Sequence, residues 1–152
     1  MLTKEDLTKR AEEQAEKFFV KKKKRNGEVI YTRDGHPKWD ENKSLSSSQL
    51  RKFFGEFKRI KIKLDNLLKN NKNEDQKEIF KKVIPQIMLQ AAQVNYAAGR
   101  QKVPEAFRKF IEDELNKIDE NSPDSFYDFM VYFEAVVGYY YYLAKKGGIK
   151  RQ

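Results

Sequence analysis

With 152 residues, the chain has room for one domain built on a single core. It contains no cysteine and one histidine, His36, which removes disulfide frameworks, thiolate metal sites, histidine-based metal clusters and His-dependent triads. Its net charge of +9 is concentrated in Lys21–Arg25 and in the segment 43–69, leaving the remainder net negative; such concentration attracts polyanions, nucleic acid first and anionic membrane second.

The opening residues, MLTKEDLTKR, are polar and hold no apolar signal-peptide core. A first helix is predicted from about Thr3 to Val20, with Thr3 and Asp6 at cap spacing. Its apolar stripe, Leu7, Ala11 and Phe18, is thin and predicts weak packing or mobility. From Lys21 to Lys43 no helical period survives. Gly27, Gly35 and Pro37 mark a long basic loop, in which Val29–Tyr31 and Asp34-Gly35 give the one hint of a brief hairpin. No internal repeat and no convincing strand is read from the chain.

The clearest pattern follows. Ser46 and Gln49 have capping-box spacing, which predicts a helix starting near Ser47 and ending at Asn70 or Asn71. Leu50, Phe53, Phe54, Phe57, Ile60, Leu64, Leu67 and Leu68 fall on one face of it at about 100° per residue. A third helical region covers about Glu74 to Ala98, and Pro85 either kinks it or opens a new helix. Beyond Pro85 the residues are apolar nearly all round, which predicts a buried helix, with Gly99 as a left-handed stop. Pro104 opens a fourth helix, with Phe107, Phe110, Ile111, Leu115 and Ile118 inward. A last helix is predicted from Ser122-Pro123 to about Lys146, ended by Gly147-Gly148. It is too charged to span a membrane, and Phe133 and Val137 are expected inside the bundle. The expected fold is all-α, a helical bundle of about five helices with a long basic loop after the first. The expected division is an N-terminal helix and loop over 1–44 and a bundle over 45–152.

Opposite the apolar face of the Ser47 helix sit Arg51, Lys52, Lys58, Arg59, Lys63 and Lys69, within an arc of about 140°. Glu56 and Asp65 lie at its edges. Cations at four- and seven-residue spacing with few acidic partners repel one another, and a polyanion would relieve that repulsion. The face is therefore a candidate phosphate-binding surface, the other reading being a solubilising one. Lys21–Arg25 is a less specific candidate, since a flexible run must be ordered on binding. Arg100 either meets phosphate with its planar guanidinium or caps the carbonyls of the preceding helix. Tyr139–Tyr142 cover a whole helical turn, so some belong to the core and others to the surface. There is no Walker-type loop, and Asp128 and Glu134 diverge by about 120° on the wheel. No catalytic residue, metal site or cofactor is expected, and the chain is read as a non-enzyme.

Three segments in order carry a resemblance: Ser47-Ser-Gln-Leu-Arg-Lys-Phe53 opening a basic helix, Tyr96-Ala-Ala-Gly-Arg100, and Phe133-Glu-Ala-Val-Val137 with tyrosines after it. Over about Leu45 to Lys145 the chain resembles the small subunit of type III-A (Csm) CRISPR effector complexes. The resemblance implies a non-catalytic ribonucleoprotein component for antiviral defence; the cytoplasmic location is the expectation drawn from the polar start and the charged last helix. Its copies line the duplex of guide RNA and target RNA beside other effector subunits, while cleavage belongs elsewhere in the complex. It favours Arg51, Lys52, Arg59 and Arg100 as backbone contacts and moves Arg100 from capping toward binding. Two departures are visible: the Lys21–Lys43 loop is long for the family, and tyrosines stand where a histidine is expected after Glu134-Ala135. The alternatives are a free-standing RNA-binding or ribosome-associated helical protein, and an assembly scaffold.

Overall fold

A computed structural model describes residues 1–149, so the end of the expected 45–152 segment lies outside the described residues. The fold is all-α. A π-helical turn, Asp6–Arg10, runs into α1 (Ala11–Glu16); then come α2 (Ser47–Asn70), α3 (Gln76–Lys81), α4 (Ile84–Gly99), α5 (Glu105–Leu115) and α6 (Pro123–Lys146). Among the described residues there is no strand, only isolated bridges. No helix of the described residues is long and apolar enough to cross a membrane.

Local chemistry sets the helix ends. Thr3 and Asp6 cap the first helix reciprocally: the Thr3 amide donates to Asp6 at 2.9 Å and the Asp6 amide to the Thr3 hydroxyl at 3.1 Å. The Ser46 hydroxyl accepts from the Gln49 amide at 3.2 Å and starts α2 where expected. Pro85 opens a new helix rather than kinking one, because Lys82 and Val83 close α3 before it. The stop after α4 differs from expectation. The left-handed residue is Gln101, with φ 60°, not Gly99. The Lys102 amide reaches the Ala97 carbonyl at 2.8 Å and the Gln101 amide the Ala98 carbonyl at 3.0 Å, so a Schellman closure falls two residues later.

The apolar face of α2 is inward as predicted. Leu50, Phe53, Phe57, Ile60 and Leu64 are buried, and Phe54, Leu67 and Leu68 pack at the margin. Phe133 of α6 is fully buried, and Val137 is partly buried against the same core. Two expectations fail. The first helix packs firmly: Ala11, Ala15 and Phe18 are each 0% exposed, and the small alanines let α1 lie close against α6. Helix α4 is one-sided, with Met88, Leu89 and Tyr96 exposed, because α2, α3 and α5 cover only its Ile87–Val94–Ala97 side.

The basic loop is an organised cap. An eight-residue repeat, missed in the sequence, runs through it: Lys24-Arg25-Asn26-Gly27-Glu28, then Thr32-Arg33-Asp34-Gly35-His36, then Asp40-Glu41-Asn42-Lys43-Ser44. In the first two turns Gly27 and Gly35 take φ 92° and 84°. The Lys24 amide donates to the Glu28 carbonyl and the Thr32 amide to the His36 carbonyl, each at 2.7 Å. In the third turn the Asp40 amide donates to Val20 at 2.7 Å. Between the turns Ile30 donates to Lys22, Lys38 to Ile30 and Lys22 to Lys38, at 2.9, 2.8 and 2.7 Å, which closes a ring of three amides. The loop thus has the form of a small three-lobed knot of backbone, stitched by bridges Lys21–Trp39, Lys23–Val29 and Tyr31–Pro37.

Trp39 fastens this cap to α6. Its indole stacks on Phe19 at 4.9 Å, Phe19 stacks on Tyr140 at 5.0 Å, and Nε1 donates to the Leu143 carbonyl at 2.7 Å. The two glycines after α6 act separately. Gly148 takes the left-handed φ of 84°, whereas a Cβ on Gly147 would lie 1.9 Å from the Trp39 ring. Gly147→Ala is expected to unseat Trp39 and destabilise the fold by about 1–3 kcal/mol or more, the scale of an overpacked core. A thermal melt checks this, and an unchanged midpoint would show that the indole has another seat.

Candidate nucleic-acid interface

Helix α2 presents its cations because every large apolar side chain but one on it turns inward. Arg51, Lys52, Lys58, Arg59 and Lys63 are all exposed. Taken around the helix, they form two rows. Arg51, Lys58 and Lys69 lie on one flank, Lys52, Arg59 and Lys63 on the other, and an uncharged line of Ser48, Gly55, Ile62 and Asn66 runs between them. Cations seven apart in a row, such as Arg51 and Lys58, stand about 10.5 Å apart along the axis.

The centre line is unusual for a solvated helix. Ile62 is 57% exposed, the one large apolar residue left outside on α2. Gly55 is mid-helix, where glycine costs about 0.5–1 kcal/mol relative to alanine. A Cβ there would meet nothing within 4 Å, so no internal contact requires the glycine.

Of the two acids bordering the face, Asp65 is turned aside and Glu56 meets one cation of the rows. Asp65 accepts from the Tyr127 hydroxyl of α6 and pairs with Lys61 at 3.3 Å. Partial burial, then this hydrogen bond, pushes the Tyr127 ionisation upward, so its hydroxyl remains a donor. Glu56 pairs with Arg59 at 3.7 Å, an exposed contact worth little in water. Among the described residues Arg51, Lys52, Lys58, Lys63 and Lys69 make no ion pair. Lys52 and Lys58 instead rest over the rings of Phe53 and Phe54, at 5.3 and 5.5 Å. Lys58 leans toward α6, into a shallow groove lined also by Lys61, Val131 and Glu134.

Arg100 is not a carbonyl cap. Backbone amides take the last carbonyls of α4, while the guanidinium donates to the Tyr96 hydroxyl at 3.0 Å and sits 5.7 Å from that ring. The turn after it borders a cleft of about 380 Å³ with Asn42, Lys43, Ser44 and Lys102. That places Arg100 at the end of the bundle where α2 begins. The Tyr140 hydroxyl joins this end to the core by donating to the Leu45 carbonyl at 2.6 Å, and burial keeps it protonated. Of the tyrosine run, Tyr140 is core and Tyr142 is 55% exposed.

Among the described residues no group of three or more His, Asp or Glu is placed to hold a metal ion. His36 lies in the cap, edge-on to Trp39 at 5.2 Å.

The profile of the family described as Csm2 Type III-A matches residues 31–146, which includes all of α2 to α6. The chain belongs to the Csm2 type III-A family. It is therefore a small subunit of a type III-A CRISPR effector, and Csm2 membership implies association with other Csm subunits. The match opens at Tyr31, so the lysine run and first turn of the cap precede it. No curated protein and no solved structure gives a significant match to the chain.

Proposed function

We propose that this Csm2 chain is a non-catalytic RNA-binding subunit, lining the guide RNA–target duplex of a cytoplasmic antiviral ribonucleoprotein through contacts to backbone rather than bases. The observation that carries the reading is the double row of exposed cations on α2, whose bordering acids are engaged by Tyr127, Lys61 and Arg59. Two flanking rows suit phosphates, and the uncharged line between them lets a sugar–phosphate surface approach the helix closely. Of Arg51, Lys52, Lys58, Arg59, Lys63 and Arg100, the only ones that meet a polar side chain among the described residues are Arg59, at Glu56, and Arg100, at Tyr96, which leaves the other four without a frame that aims them at a base edge. Copies of this chain side by side would lengthen the track.

The test is a salt titration of the purified chain against two RNAs of unrelated sequence. Log K is expected to fall linearly with log salt, with the same slope for both. With Mg²⁺ or Mn²⁺ added, both RNAs are expected to remain intact. Sequence-dependent slopes, or turnover lost on replacing an acidic residue, would overturn the reading. No RNA binding at any salt would favour the scaffold.

A further inference from the structure

Lys21, Lys22, Lys23, Lys24 and Arg25 are five consecutive cations. In a flexible tail such residues spread apart and bind phosphate only after losing chain entropy. Here their backbone is already fixed. Lys22 belongs to the ring of three amides, Lys21 and Lys23 are bridged to Trp39 and Val29, and Lys24 closes the first turn. All five side chains are exposed. The cap has acids within reach, yet they leave the run nearly untouched. Glu28 meets Lys24 alone, at 3.9 Å, and Asp40 accepts the amides of its own turn at 2.9 and 3.2 Å. Among the described residues Asp34 and Glu41, at the other two lobes, make no ion pair with the run.

The stack of Trp39, Phe19 and Tyr140, with Gly147 under the indole, holds these like charges together against their repulsion. The same Tyr140 ties down Leu45, two residues before α2, and the Leu45 amide donates to Phe18 at 2.8 Å. The cap is therefore rigidly continuous with the basic end of α2. From these contacts we infer that the cap is a second phosphate-binding surface, in which Lys21, Lys22, Lys23 and Arg25 hold RNA backbone running past the start of α2. It rests on the reading of α2 only for the class of ligand.

The experiment replaces those four residues by alanine in the full chain, and in parallel by glutamine, which keeps bulk and removes charge. The probe is an RNA of about 30 nucleotides, longer than the roughly 36 Å of α2. Both variants are expected to melt like the parent. Four lost contacts should make the slope of log K against log salt shallower by about 3. If the slope is unchanged while Arg51→Ala, Lys52→Ala and Arg59→Ala together still flatten it, the cap is a solvated knob and the inference falls alone. If neither set changes it, the reading of α2 falls as well. If the four residues matter for phosphatidylserine vesicles but not for RNA, the cap serves a membrane and the inference is overturned.

Discussion

Replacing Arg51, Lys52 and Arg59 together by alanine is expected to weaken RNA binding about equally for unrelated sequences and to flatten the salt slope by about 2–3. The three residues sample both rows of α2 and lie within its first four turns. Folding should survive, because none of them belongs to the apolar face, Lys52 only resting over the edge of it at Phe53, and the single ion pair lost, Arg59 with Glu56, is exposed. The control removes the same charge elsewhere, at Lys77, Lys145 and Lys146, all exposed and off the face. If the control lost as much affinity as the helix variant, net charge alone would account for binding and the site would be misplaced.

Phe133→Ala is expected to have the largest effect on stability, about 3–5 kcal/mol. The ring is fully buried and lies 5.0–6.4 Å from the rings of Phe54, Phe57, Phe107, Phe110 and Phe129, so α2, α5 and α6 meet on it. Truncation removes edge-to-face partners from several rings at once, and helices packed on three sides have little freedom to collapse into the void. A fall in melting temperature on the order of 10 °C should follow. Val137→Ala, one turn on and only partly buried, should cost much less. Equal losses at the two positions would mean that the cluster of rings is not the centre of the core.

The helices were legible because their signals are local. Ser46 with Gln49, Thr3 with Asp6 and the proline at 85 each act within one turn, and the period of Leu50 to Leu64 needs no partner to be seen. What was not legible depended on partners distant in the chain. The alanines of α1 look weak until α6 lies against them. The outward face of α4, with Met88 and Leu89, looks like core until α2, α3 and α5 are seen to cover only the other side. In the cap the turn signals Asn26-Gly27 and Asp34-Gly35 stand eight residues apart and invite a hairpin reading. The closure around three amides, however, requires residues 22, 30 and 38 to meet at once, and its anchor is a glycine at the far end of the chain. At the candidate interface spacing picks out the cations of α2, whereas Arg100 enters through the family resemblance. That Asp65 turns to Tyr127, and that Arg100 rests on Tyr96 rather than on the helix end, depended on side-chain directions that spacing does not carry.

The seat of Trp39 also fixes an order of events. The indole is made early, but the carbonyl it bonds belongs to Leu143, 104 residues later. At about 5–20 residues per second, translation leaves the cap without its seat for roughly 5–20 s. During that interval Lys21–Arg25 has only the cap's own backbone bonds to brace it, and α1 likewise waits for α6. The cap is thus among the last parts of the fold to be fastened, and a chain cut short before Tyr140 would lack the stack and the indole bond that seat its polycation on the bundle.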